Sequence, residues 1–187
     1  MDKKSLSVGV DLGTSNLLIY VEGKGTMFNE PSFIAIDKAT GKVICVGHEA
    51  AKLVGKNHEK FDVVCPLQGG VISDIGQIRE ILIFTLGKIF SSEINNIKKL
   101  LICIPSDITN TEKEAIIRLG QSLGIDNTVI QQEIKAAAMG TGVDIFEPKG
   151  HMVVDIGGGT TDFGILSLGD VVLSKSIKIA GDFFDRQ

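Results

Sequence analysis

Short apolar runs rich in β-branched residues alternate along the chain with longer stretches in which apolar residues recur every three or four positions. The short runs are typical of strands and the longer stretches of amphipathic helices. Strands are predicted at 7–11, 17–21, 26–29, 32–37, 42–47, 100–105, 128–131, 151–155, 163–168 and 171–177. Helices are predicted at 48–55, 74–90, 109–124 and 133–142. Because the two kinds of element alternate, the pattern predicts an α/β fold in which helices pack against a sheet.

Two of the predicted helices carry local signals of their own. The 74–90 helix collects apolar side chains on one face, namely Ile75, Ile78, Leu82 and Leu86. The 109–124 helix starts with two overlapping capping boxes, Thr109 with Glu112 and Thr111 with Glu114. The first signal predicts an amphipathic helix, and the second predicts where the next helix begins.

One local unit occurs twice in the sequence: an apolar strand that ends in Asp, a Gly-containing turn with hydroxyl residues, and a second strand. The first copy reads D-L-G-T-S-N from Asp11, and the second reads D-I-G-G-G-T-T-D from Asp155. Two copies of one unit predict two related subdomains that face each other.

The turns of this unit suit a phosphate site, because glycine lets the backbone approach an anion and successive N–H groups can point at its oxygens. The residues predicted to do so are Gly13, Thr14, Ser15, Asn16, Gly157, Gly158, Gly159 and Thr160. Asp11 and Asp155 are predicted to hold Mg²⁺, largely through the waters that this ion keeps. Two ordinary hairpins are the alternative for either loop alone, but the matched pair favours a clamp for a polyphosphate and its metal. The sequence has neither a Walker-type loop nor G-x-G-x-x-G.

Hydrolysis of a terminal phosphate needs a polar group that orients the attacking water. Glu133 begins the helix before the second loop and is the acidic candidate, with the hydroxyl of Thr160 as a second contact to the same water. A solvated carboxylate at a helix N-terminus is the alternative for Glu133, and spacing alone favours that alternative.

The net charge of −4 and the absence of Trp argue against a nucleic-acid surface, which needs dense positive charge. Lys98 and Lys99 are predicted to lie at a helix end or in a loop. Cys45, Cys65 and Cys103 fit neither a disulfide framework nor a metal site, and are predicted to be small buried hydrophobes. With no signal-peptide pattern and no apolar run near ~18 residues, a cytoplasmic location is expected.

The two Asp-Gly loops resemble the first and second phosphate motifs shared by actins, heat-shock chaperone ATPases and sugar kinases. Further stretches narrow the resemblance to the MreB family of bacterial actins: N-E-P-S at 29–32, and the segments 41–52, 66–74, 104–109 and 176–182. Together these stretches extend the resemblance from about residue 6 to residue 187.

This resemblance implies an incomplete actin-like ATPase fold, with a ribonuclease H-like mixed sheet and flanking helices. Residues 1–31 and 67–150 would form an inner subdomain, 32–66 a small outer insertion, and 151–187 the start of a second inner subdomain. In the family, residues matching Glu133 and Thr160 orient and assist the attacking water. Gly181, in the 176–182 stretch, would join the site for ATP and Mg²⁺.

The implied function is that of an ATP-binding cytoskeletal filament protein that determines or maintains bacterial cell shape. Filament formation is expected at full length, with membrane-associated morphogenesis proteins as partners and a location at the inner face of the membrane. Direct membrane binding has little support, because residues 91–97 offer only Ile94 and Ile97 as apolar anchors. The alternatives are a chaperone-type or sugar-kinase-type ATPase of the same fold, and a truncated fragment that binds full-length subunits without catalysis.

Several features depart from the family pattern. The family usually has Glu-Glu-Pro-Met where this chain has Gln132, Glu133, Ile134 and Lys135. It usually has Glu where this chain has Asp162. The adenine-binding segment and the second outer subdomain would follow residue 187, so ATP hydrolysis is expected only when a second half completes the site. Without that half, apolar side chains of the last three strands are expected to be exposed, at Val153, Ile165 and Val172.

Overall fold

The computed structural model describes residues 5–56, 59–68, 71–106 and 108–185 of the 187-residue chain. Its strands are β1 (Leu6–Leu12), β2 (Asn16–Val21), β3 (Gly25–Pro31), β4 (Ile34–Asp37), β5 (Val43–Val46), β6 (Phe61–Val64), β7 (Leu67–Gln68), β8 (Val71–Ile72), β9 (Ile97–Ile104), β10 (Asn127–Gln132), β11 (His151–Ile156), β12 (Thr161–Ser167) and β13 (Asp170–Ile177). Its helices are α1 (His48–Ala51), α2 (Ile75–Phe90), α3 (Asn110–Ser122), α4 (Glu133–Gly140) and α5 (Gly181–Phe184), with a 3₁₀ helix at Ser91–Asn96.

A mixed sheet of five strands, in the order β10-β9-β1-β2-β3, carries the first predicted phosphate loop. β1 pairs antiparallel with β2 and parallel with β9, and β10 pairs parallel with β9. Parallel neighbours place their carboxyl ends at one edge of the sheet. The ends of β1, β9 and β10, which precede the first loop, Pro105 and Glu133, therefore lie close together.

The main core forms where α2 and α3 bury their apolar sides in one cluster with this sheet. On β1 alternate residues point inward, as a strand with one buried face requires. On α2 the four residues of the predicted apolar face include Ile78, Leu82 and Leu86, which are fully buried, whereas Ile75 is partly buried. This packing holds the β1–β2 loop on a rigid support.

Capping groups set the starts of the two long helices. Asp74 accepts hydrogen bonds from the N–H groups of Gly76 and Gln77, at 2.8 and 3.1 Å. Thr109 and Glu112 form a complete capping box at the start of α3. The second predicted box is wrong: Thr111 lies inside the helix, and Glu114 contacts Arg118 instead.

Besides the two-stranded pair of β7 and β8, the described residues form two further small sheets. β5, β4 and β6 form one of them, and all three strands fall within the predicted outer insertion. β11, β12 and β13 form an antiparallel sheet that carries the second predicted loop, and one of its faces packs against α4. At that contact Gly164 lies so close to Ile134 that an added Cβ would come within 2.6 Å of its side chain.

The α/β fold class and the predicted strands are confirmed, with three local corrections besides the capping box. α1 covers only the first turn of the predicted 48–55 helix. Lys98 and Lys99 lie in β9 with exposed side chains, because strand pairing with β1 continues past them to Ile97. Val153 packs against Ala138 and Ile145 rather than facing solvent. The division into subdomains stays a prediction.

The three cysteines are free thiols. Cys45 and Cys103 are buried as predicted, but Cys65 is only half-buried, and its Sγ donates to the carbonyl oxygen of Leu67 at 2.9 Å. Within the described ranges, no helix has both the length and the apolar composition to cross a membrane.

Candidate functional site

The first glycine loop joins β1 to β2 and is tied to the chain that follows β3. The hydroxyl of Ser32 donates to the carbonyl oxygen of Gly13 at 2.6 Å, and the Ser32 N–H donates to the carbonyl oxygen of Ser15 at 2.9 Å. An added Cβ at Gly13 would lie 2.6 Å from the carbonyl oxygen of Asn16, so the turn admits only glycine at this position. Ser32, itself buried, therefore fixes the loop from behind.

The second glycine loop joins β11 to β12 and is supported in the same way from α5. The N–H of Gly157 donates to the carbonyl oxygen of Thr160 at 2.9 Å, which closes the loop. The N–H groups of Gly181 and Asp182 donate to the carbonyl oxygens of Gly157 and Gly158, at 3.1 and 2.9 Å. Gly181 thus supports the loop rather than lining the cleft beside it.

The two loops touch each other at Gly158 and Ser15. A Cβ added to Gly158 would overlap the Ser15 hydroxyl and come within 2.8 Å of the Ser15 Cβ. The same hydroxyl lies 3.5 Å from Oδ1 of Asp182, to which it donates. Residues 143 positions apart are therefore brought together, and only glycine at 158 permits this approach.

Between the loops lies a cleft with a volume of about 960 Å³. All but one of the predicted site residues line it: Asp11, Gly13, Thr14, Ser15, Asn16, Glu133, Asp155, Gly157, Gly158, Gly159 and Thr160. The exception is Gly181. The structure thus brings the predicted residues to one place, while the roles assigned to them stay predictions.

Four carboxylates line this cleft: Asp11 in β1, Asp155 in β11, Asp162 in β12 and Glu133 at the start of α4. Its described lining residues include no Lys, Arg or His. Burial raises the pKa of Asp11, and the charge of Asp155 raises it further. Burial likewise raises the pKa of Asp155, with a further contribution from Asp162. The cleft is thus an acidic, partly desolvated site that favours a cation.

The same acidic, partly desolvated environment also raises the pKa of Glu133. The preceding residue, Gln132, is extended and provides no side-chain cap, so α4 begins with the Glu133 carboxylate in its first turn. Burial, followed by the charges of Asp11, Asp162 and Asp155, raises the pKa of Glu133 to about 8. Glu133 is therefore a partly buried group that lines the cleft, which argues against the alternative of a solvated carboxylate.

The carboxylate set fits Mg²⁺, which prefers oxygen ligands, takes one or two carboxylates and keeps several waters. Across the described ranges, no group of three or more His, Cys, Asp or Glu side chains is placed to ligate one ion directly. The arrangement therefore suits an ion held by few carboxylates and by its own waters. It does not suit an ion whose ligands all come from the protein.

Three residues of the site were not assigned a role from the sequence. Asp162 drew notice only as a departure from the family pattern, although it lies in β12 directly opposite Asp155 and so on the same face of the sheet. Ser32 contacts Gly13, which lies 19 positions before it in the chain. Asp182 contacts Ser15, which lies 167 positions before it. No local sequence pattern predicts contacts between residues that are so far apart in the chain.

Comparison with known proteins identifies a family whose members resemble this chain. The family model described as MreB/Mbl protein matches residues 5–187. The cell shape-determining protein Mbl of Bacillus cereus is 46% identical over 180 residues, which are 96% of this chain and 54% of that protein. The crystal structure of MreB5 of Spiroplasma citri bound to AMPPNP superposes with a TM-score of 0.86 at 41% identity, covering 97% of this chain and 55% of the other. The ADP-bound structure gives 0.87 at 39%, covering 98% and 55%. The chain spans about half the length of these relatives.

Proposed function

The chain belongs to the MreB/Mbl protein family, and from this premise we propose that its cleft binds ATP with Mg²⁺ in an actin-like filament protein that determines cell shape. The observation that carries the proposal is the contact between Gly158 and Ser15, which joins the two phosphate loops across one acidic cleft. Backbone N–H groups of both loops would bind the phosphate oxygens. The AMPPNP and ADP bound by Spiroplasma citri MreB5 support a nucleotide as the ligand.

Asp11 and Asp155 would hold the metal from opposite sides of the cleft, largely through its waters. Bound Mg²⁺ supplies positive charge that neutralises the phosphates and the surrounding carboxylates. Glu133, at the start of α4, would orient the attacking water, and the hydroxyl of Thr160 would donate to the same molecule. Burial is the larger cause of the raised pKa of Glu133, and the carboxylate charges add to it. A cation beside Asp11 and Asp155 would offset the second cause and lower this pKa.

We further propose the finer parts of the function that the family resemblance implies. The chain would self-associate into filaments at the full length of its relatives, act with membrane-associated morphogenesis proteins, and work in the cytoplasm at the inner face of the membrane. Membership of the MreB/Mbl family favours this function over a chaperone-type or sugar-kinase-type ATPase. A fragment that binds full-length subunits without catalysis is the second candidate, since the chain spans about half of each relative.

The first test replaces Asp11 in a polypeptide long enough to complete the cleft. Asp11→Ala should abolish Mg²⁺-dependent ATP binding, because it removes one of the carboxylates that hold the metal. Calorimetric titration with ATP, with and without Mg²⁺, measures this. The matched control is Asp126→Ala, an exposed carboxylate outside the cleft. Unchanged ATP affinity in Asp11→Ala with Mg²⁺ present contradicts the assignment.

A further inference from the structure

Asp162 is a buried carboxylate of the cleft for which the proposed function gives no role. It lies in β12 directly opposite Asp155 of β11, and only 3% of its surface is exposed. Its Oδ1 has no hydrogen-bond partner within the part of the chain that the structure describes. A buried polar oxygen without a donor is costly, and native proteins normally supply one.

Asp162 lines the cleft, so a donor bound there can face its carboxylate. The described residues around the cleft provide no Lys, Arg or His that could pair with this carboxylate. Its hydroxyl groups, such as those of Ser15 and Thr160, form no hydrogen bond with Oδ1 of Asp162. A water molecule polarised by a divalent cation is a strong donor, and Mg²⁺ keeps several such waters when it is bound.

The strand register places Asp162 within reach of that water. Residues opposite each other in an antiparallel pair project to the same face, with Cβ atoms about 4.5–5.5 Å apart. Asp162 and Asp155 are such a pair. We propose that Asp162 is a positioning residue whose carboxylate accepts a hydrogen bond from a water of the Mg²⁺ that accompanies the nucleotide. This inference rests on the proposed function, because it assumes that the cleft takes a metal–nucleotide complex.

If Asp162 served only to stabilise the fold, its charge would stabilise the groups around it in the ligand-free chain. The charge of Asp162 adds to burial in raising the pKa of Asp155, and adds to burial and Asp11 in raising that of Glu133. Its neighbours are therefore repelled rather than stabilised by it. Removing this charge should leave the ligand-free fold as stable as before, or more stable, while weakening cation binding.

The test measures Mn²⁺ binding to the ADP complex, by the loss of the free-ion EPR signal, in a polypeptide of the relatives' full length. Asp162→Asn keeps the side chain's shape and removes its charge. Mn²⁺ affinity should fall by roughly 10–100-fold, as it does when an outer group behind a metal site is removed. ADP affinity without metal should be unchanged, and the melting temperature of the ligand-free protein should be unchanged or raised.

Two further variants keep this result interpretable. Asp162→Glu retains a carboxylate, so it should keep most of the Mn²⁺ affinity. Asp170→Asn makes the same chemical change on the same sheet, at an exposed residue that pairs with Lys135 at 3.7 Å, and should leave Mn²⁺ affinity unchanged.

The outcomes separate this inference from the proposed function. Unchanged Mn²⁺ affinity in Asp162→Asn overturns the inference, even if phosphate release slows, because the carboxylate would then act on the attacking water. A lower melting temperature with weaker metal-free ADP binding overturns it in favour of a structural role. If the unsubstituted protein does not bind ADP, the proposed function itself fails.

Discussion

Glu133 lies where α4 begins, beside three other carboxylates of the cleft. Glu133→Ala should leave ATP binding largely intact, because the phosphate contacts come from the two loops. Phosphate release should slow by roughly 10²–10⁴-fold, the usual contribution of a general base. A coupled assay of phosphate release beside an ATP titration measures both quantities, with Glu114→Ala on the exposed side of α3 as the matched control. Loss of ATP binding together with turnover would show that Glu133 is structural.

The raised pKa of Glu133 also makes the stability of the ligand-free chain depend on pH. With a folded-state pKa of about 8 against an ordinary value of 4.5, the folded chain keeps a proton that the unfolded chain loses between these values. The free energy of unfolding therefore falls as the pH rises from 4.5 towards 8 and is fully restored only below that window.

Glu133→Gln cannot lose a proton, so it removes this dependence. The variant should be more stable than the parent at pH 8 by something on the order of 3 kcal/mol, after allowance for solvent screening. The difference should shrink to nothing towards the ordinary pKa of a glutamate. Urea unfolding followed by circular dichroism across this range measures it. A difference that stays constant with pH contradicts the assignment of the shift to Glu133.

At the scale of the element, the start of α3 depends on one capping threonine. Thr109 accepts a hydrogen bond from the N–H of Glu112 at 3.3 Å, and the Glu112 carboxylate accepts one from the N–H of Thr109 at 2.8 Å. Thr109→Ala should lower the free energy of unfolding by about 1 kcal/mol. Thr111→Ala, two positions into the same helix and without a capping box, should change it by much less. Equal losses for the two variants would mean that the cap does not stabilise α3.

The elements predicted best are those with strong local periodicity. α2 begins and ends within one residue of the predicted 74–90 helix, and β1 and β2 agree with the predicted strands to within one residue at each end. β6, β7 and β8 were not predicted, because these short strands lack a pattern of their own. β6 pairs with β4, and β7 and β8 pair with each other. Tertiary pairing decides such elements, as it also decides that β9 extends back through two lysines.

The candidate site divides in the same way. Asp11, Asp155 and the two glycine loops were predicted because the carboxylate and the glycines of each loop stand close together in the sequence and form a recognisable motif. The contact of Gly158 with Ser15, the anchoring of the first loop by Ser32 and the burial of Asp162 depend on how separate elements pack. A sequence taken alone carries no local pattern for such contacts, so they appear only in the structure.

At the scale of the whole molecule, the β11–β13 sheet has one covered face and one open face. α4 covers the first through Ile134 and Ala138. The open face carries Met152, Ile165 and Leu173 on neighbouring strands in direct register, with 68%, 37% and 63% of their surfaces exposed. Val154 and Ile156 extend this apolar row along β11. A monomeric soluble protein rarely exposes so continuous an apolar patch.

The 187-residue polypeptide on its own should therefore associate through this open face, bind ATP poorly and form no long filaments. Exchanging Met152 and Leu173 for lysine together should reduce the association, because the charges would be buried at any interface that covers them. Met27→Lys is the matched control, since Met27 is similarly exposed on β3, away from this sheet. Sedimentation velocity with and without ATP measures the size distribution of each variant. A monodisperse monomer would contradict this expectation, because the open face would then need no cover. Long polymers that require nucleotide would contradict it too, because filaments would then not need a second half.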